Sequence, residues 1–267
     1  MIKKNVDSFF AENPLSPATR ELYTRAISKF LARYDPATCS AGDILSFLDN
    51  QETWGNSIRY TASIAIKRFI RWKFGDNHPA LRMRIKRQEA MPGRTLDVER
   101  AGKLLASFNT GKMQGIRNLA IACLAMDNGL RVAELARLKF SDVDLVHRKL
   151  VVRIKGGKPK DATFSVYTAE RIAAWLPFRR PGDERLFQLT RDGLRVTVRR
   201  WGEKLGFKLS PHDLRRTFAT ISSRSGAPSR LLQVAGRWSS IEMVERYTQS
   251  ITAEDFEDYF PVNRVMR

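Results

Sequence analysis

Two cysteines and three histidines among 267 residues leave little material for several kinds of chemistry. Cys39 and Cys123 stand far apart in apolar surroundings, so neither a disulfide framework nor a thiolate zinc cluster is indicated. None of His78, His147 and His212 has a second ligand at helical or knuckle spacing, and no metal or other cofactor is expected. The longest apolar run, LAIACLAM at 119–126, is far too short to span a bilayer, and the lysines of MIKKNVDSFFAENP have no apolar stretch behind them. A cytoplasmic protein with no membrane partner is the expectation. No G-x-x-x-x-G-K-[ST] occurs, because GGKPK at 156–160 places Pro159 where the Ser or Thr belongs, and no G-x-S-x-G elbow is present.

Acidic residues are also scarce, 28 against 47 lysines and arginines, for a net charge of +19. Residues 1–90 hold 15 basic and 9 acidic side chains (+6), and residues 91–267 hold 32 and 19 (+13). A single basic tail would load one end of the chain. Charge spread over both halves fits two folded surfaces facing one nucleic acid, with a solvated basic surface as the alternative. With 43% hydrophobic residues at this length, two modest domains are expected.

Helical signals fill the first third. Ser16 and Pro17 open a stretch carrying Leu22, Ala26, Ile27, Phe30 and Leu31, and Ser40 with Asp43 three residues on resembles a capping pair. Asn56 is read as the cap of a third helix with Ile58, Ile64, Ile66, Phe69, Ile70 and Trp72. Arg59, Lys67, Arg68, Arg71 and Lys73 are interleaved with them, so one face packs while the other meets phosphates or simply solvent. Periodicity fades around LRMRIKRQEAMPGRTLD, which sets a first domain at 1–88, a linker at 89–94 and a second domain at 95–267. Asp97 caps the next helix, a long apolar helix runs from about Arg117 to Gly129, and KLVVRIK and DATFSV form a hairpin across GGKPK. Helical patterns return from Thr168. The fold class is mainly α with a small antiparallel β-sheet in the second domain.

HDLRRTFAT at 212–220 sets His212 and Arg215 on one helical face, so a titratable ring and a fixed cation aim at one spot. Arginine's planar fork matches phosphate oxygens, and a side-chain hydroxyl can attack phosphorus without metal or ATP when the bond energy is kept in a covalent intermediate. Together with NGLRVAEL at 128–135 and the tyrosine of ERYTQ at 245–249, this segment resembles the boxes of the tyrosine recombinase (phage integrase) family, with 35 residues from His212 to Tyr247.

The resemblance implies a two-domain C-shaped clamp on duplex DNA that cleaves specific sites, forms a 3′-phosphotyrosine and exchanges strands through a Holliday junction. Arg131 and Arg215 would grip the scissile phosphate, Glu134 would steady the site, and His212 would assist proton transfer or hold a phosphate oxygen. Lys155 resembles the family's mobile general acid, with Lys158 and Lys160 as close competitors and Lys158 otherwise a DNA contact. Arg216 reads as structural or as a flanking phosphate contact. At 238 the family commonly has a histidine in a Gly-His pair; here AGRWSS places Trp238, whose role becomes positioning. Tyr247 would be the nucleophile, since Tyr167 and Tyr259 lack the spacing. The resemblance further implies a homo-tetramer on DNA in which TAEDFEDYF at 252–260 docks on a neighbour, with accessory DNA-bending factors as further partners. A type IB topoisomerase and a catalytically silent DNA-binding regulator remain the alternatives.

Overall fold

The computed structural model describes residues 2–85, 93–154 and 158–248, with the side chains of 2–5 and 246–248 outside that description. The chain divides into two compact units, Met1–Ala90 and Met91–Arg267.

The first unit is helical: α1 (Ile2–Glu12), α2 (Pro17–Leu31), α3 (Ala41–Asp49), α4 (Asn56–Phe74) and a short 3-10 turn at Pro79–Arg82. Tyr23, Ala26, Ile27 and Phe30 of α2 recur at helical spacing and are buried against the Ala62, Ala65, Ile66, Phe69 and Ile70 stripe of α4. Rings lock the bundle: Phe9 meets Phe69 edge-on at 5.8 Å, and the Trp72 indole donates to Glu12 at 2.7 Å. Ser40 and Asp43 do form a reciprocal capping box at the start of α3. Gly55, one residue earlier than expected, occupies the N-cap of α4.

The second unit contains α5 (Val98–Ala106), α6 (Met113–Asn128), α7 (Val132–Arg137), β1 (Val143–Asp144), β2 (Lys149–Val152), β3 (Lys160–Thr163), α8 (Val166–Trp175), α9 (Arg191–Lys204), α10 (Pro211–Arg224), α11 (Ser229–Ala235) and α12 (Glu242–Thr248). Residues 118–125 of α6 are buried without interruption, as befits a helix surrounded on all sides, and α8 and α10 pack against it. The sheet is antiparallel in the order β1-β2-β3, with Leu150 and Val152 turned into the core. Thus the chain is mainly α with one small antiparallel sheet.

Three local details differ from the sequence reading. Helix α6 begins at Met113, four residues before Arg117. A third strand, β1, joins the expected hairpin, and it is too short to carry a periodic signal. The Ser165 hydroxyl accepts from Thr168 N at 3.2 Å, so it caps α8 and starts that helix at Val166 instead of Thr168.

Candidate active site

The long core helix α6 ends at Asn128 because Gly129 takes a left-handed backbone, φ 55°, and donates back to Ala125 O. A Cβ at Gly129 would stand 2.5 Å from the Phe218 ring, so glycine is required twice over. Leu130 then plugs the core, and Arg131, in extended conformation, becomes the N-cap residue of α7. Glu134 on the first turn of α7 folds back: one carboxylate oxygen accepts from Arg131 N and the other from Arg131 Nη1, both at 2.8 Å. Its carboxylate is nearly buried, whereas the Arg131 side chain keeps 42% of its surface. A guanidinium that is anchored on one edge and open on the other can take a ligand without reorganising.

Helix α10 starts with Ser210 at the N-cap and Pro211 behind it. Buried Asp213 accepts from Ser210 N and Ser210 Oγ, both at 2.8 Å. Asp213 also draws in Arg216 Nη1 at 3.0 Å and Arg94 Nη2 at 3.5 Å. Arg216 lies so close to Gly93 that a Cβ there would meet its guanidinium. The hydroxyl of Thr217 accepts from Leu96 N at 2.9 Å, so the opening segment of the unit is sewn onto α10.

On the same helix Arg215 is 2% exposed. Its Nη2 donates to Gly236 O at 2.6 Å and its Nη1 to Gly129 O, two residues before Arg131. The guanidinium carbon sits 4.3 Å from the centre of the Trp238 ring, and that ring stacks at 17° on Phe218. Trp238 therefore buttresses Arg215 from one side. His212, in the first turn of α10, keeps an exposed surface, yet its pKa is held below the ordinary value. Partial desolvation is the largest cause, followed by Arg216 and Arg215; Asp213 opposes, and Arg131 adds a smaller push. The shift favours the neutral ring, and its causes place Arg131, Arg215 and His212 in one electrostatic neighbourhood.

Residues 94–254 match the phage integrase family. The chain belongs to that family. Tyrosine recombinase XerA of Pyrococcus furiosus is 30% identical over 256 residues, which cover 91% of this chain and 87% of that protein. Tyrosine recombinase XerC of Haemophilus ducreyi is 32% identical over 166 residues, so this match spans about half of each protein, 58% and 54%. Two solved structures share the fold: XerH recombinase bound to palindromic difH substrate in a post-cleavage complex (TM-score 0.76, 20% identity, 91% and 80% coverage) and the Tn1549 transposon integrase with circular intermediate DNA (TM-score 0.77, 16% identity, 99% of both chains). As a tyrosine recombinase the chain is an enzyme of DNA strand cleavage and rejoining.

In this tyrosine recombinase, Arg131, Glu134, His212, Arg215 and Trp238 converge. Tyr247 belongs to α12 by its backbone, three residues after buried Val244, and its side chain lies outside the described residues. Strand β2 ends at Val152, and Lys155 is likewise outside them; Lys158 is described and exposed. The segment 252–260 and Tyr259 are also outside, while Tyr167 is an exposed residue of α8 under Arg171. Most cations of α4 have partners within the first unit: Arg59 on Gln51 O, Lys67 on Met83 O, Arg68 on Asn13 and Arg71 on Asp76. Lys73 is exposed beside Phe74. Among the described residues no cluster of three or more His, Cys, Asp or Glu could hold a metal, and no helix is long and apolar enough to cross a membrane. One residue escaped the sequence reading altogether. Arg237, beside Trp238, is buried, with Nη2 on Asn128 O at 2.7 Å and 3.9 Å from Glu134. An arginine next to a glycine in a turn carries no pattern that would reveal this.

Proposed function

We propose that this tyrosine recombinase is a site-specific DNA recombinase acting in the cytoplasm, in which Tyr247 attacks the scissile phosphate. The phenolic oxygen forms a bond to phosphorus, the bond to the 5′ oxygen breaks, and Lys155 returns a proton to that leaving oxygen. Because a phosphodiester is exchanged for a 3′-phosphotyrosine, the bond energy is retained and resealing needs no ATP. Arg131 and Arg215 hold the equatorial oxygens, Glu134 fixes Arg131, His212 takes up the phenolic proton or donates to an oxygen, and Trp238 keeps Arg215 in place. The single observation that carries this reading is the tie of Arg215, one helical turn from His212, to the Gly129 carbonyl two residues before Arg131, across more than 80 residues of sequence.

Both units bind the DNA duplex, with α4 and Lys158 supplying backbone contacts. Strand exchange proceeds through a Holliday junction in a tetramer whose 252–260 segments dock on neighbouring protomers. The exposed Leu231 and Val234 of α11 offer an apolar patch for such a segment. The test is a duplex nicked beside the target site. Wild-type chain should become covalently attached and Tyr247→Phe should not; an adduct with Tyr247→Phe refutes the reading. Relaxation of plain plasmid by monomeric protein would replace recombination with topoisomerase action, and binding without any adduct would make the protein a silent regulator.

A further inference from the structure

The turn after α11 closes with two backbone bonds, Arg237 N to Val234 O at 3.1 Å and Trp238 N to Gln233 O at 3.0 Å. This pattern ends many helices and requires a left-handed backbone at the penultimate position, here φ 56° at Arg237. Glycine meets that demand freely, whereas an arginine sets its Cβ against the following carbonyl. The side chain is also withdrawn from water, the residue being 5% exposed, and among the described residues its Nε has no hydrogen-bond partner. Three penalties at one position ask for a compensating contact.

That contact is a clamp. Arg237 Nη2 donates to Asn128 O and Nη1 to Ala235 O, both at 2.7 Å. Arg215, from another helix, repeats the arrangement one residue along, with Nη1 on Gly129 O and Nη2 on Gly236 O. Two guanidinium groups thus join the same two turns through consecutive carbonyls, 128 and 129 on one side, 235 and 236 on the other. Glu134 Oε2, which accepts from Arg131 N, lies 3.9 Å from Arg237 Nη2. Arg131 is therefore held by a carboxylate whose second neighbour is Arg237.

Resting on the reaction proposed above, we infer that Arg237 is a positioning residue. It locks the turn that presents Arg131 to the turn that leads into α12, keeping the phosphate grip and the nucleophile's helix in register. Arg237→Gly preserves the left-handed turn and deletes only the clamp, and Arg237→Lys keeps the charge without the fork. On the nicked duplex, single-turnover adduct formation by Arg237→Gly should fall about 100-fold with DNA affinity altered by no more than about threefold, as expected for a displacement near 1 Å. Arg237→Lys should regain only part of the rate. Affinity loss matching the rate loss, or a wild-type rate in either variant, overturns the inference.

Hydrogen exchange provides a readout that does not need cleavage. In Arg237→Lys the Arg131 and Trp238 amides should exchange about tenfold faster while amides of α8 and the sheet keep wild-type protection. Uniform acceleration across the unit, or no change at Arg131, overturns the clamp. Absence of a wild-type adduct refutes the proposed reaction instead and leaves the exchange result to decide on the clamp.

Discussion

The cations of α4 and two arginines of the second unit are held in opposite ways. On α4, Arg59, Lys67, Arg68 and Arg71 stay half-exposed or exposed, with carbonyl or side-chain partners close to water, Arg59 on both Gln51 O and Asp49. In the second unit Arg215 and Arg237 are 2% and 5% exposed, and each guanidinium spans two backbone carbonyls. Exposed pairs of the first kind contribute about 0–1 kcal/mol each and can be traded for a phosphate with little loss. Buried ones are coupled to the shape of the turns around them, because removing the cation strands carbonyls that water cannot reach. Helix α4 and the candidate site thus use the same residue type for adaptability in one place and rigidity in the other.

The contrast can be broken most forcefully at Arg215. Arg215→Ala should lower the single-turnover adduct rate by the roughly 2.7–4 kcal/mol typical of a lost oxyanion donor. It should also destabilise the second unit by about 1–3 kcal/mol for each of the stranded Gly129 and Gly236 carbonyls. A melting curve unchanged from wild type would erase the distinction between the units. Arg131→Ala sharpens it: this side chain is anchored but open, so a rate loss of similar size should come with a smaller stability loss, about 1–3 kcal/mol for the one stranded Glu134 oxygen against two stranded carbonyls at Arg215.

On the other side of the contrast, the pair Arg71→Ala and Lys73→Ala should leave stability within about 0.5 kcal/mol. If both contact phosphates, the slope of log affinity against log salt should become shallower by about two. An unchanged slope would remove α4 from the DNA surface. The smallest effect belongs to His212. Its folded-state pKa lies below the ordinary value of 6.5, so the neutral ring stabilises the fold above about that pH, and this contribution is lost as pH falls through the folded-state value. Relative to His212→Gln, wild-type protein should lose melting temperature in mild acid; a difference that is flat from pH 7.5 to about pH 5 contradicts the depressed value.

Local chemistry was legible in the sequence. The Ser40–Asp43 box, the Gly129 helix stop and the amphipathic stripes of α2 and α4 depend on residues within one or two turns, and the structure contains each of them. The family boxes brought Arg131, His212 and Arg215 together on paper because their order and spacing form a pattern. What stayed hidden depends on partners far away in the chain. The tie from Arg237 to Asn128 spans 109 residues, and the tie from Thr217 to Leu96 spans 121. Nothing beside Arg237 announces a buried clamp, and nothing in Arg216 announces that Asp213 and Gly93 receive it. Strand β1 has two residues, a single period of alternation and so no repeat to detect.

Gly129, Phe218, Trp238 and Arg215 form a stack in which each member fills the space left by the last. Anyone retargeting this protein to a new sequence by laboratory evolution would find these positions frozen as a block, since a methyl group at 129 would propagate to the far guanidinium. Productive libraries therefore belong on exposed positions outside the stack, where a changed side chain can alter what is recognised and leave the means of cutting untouched.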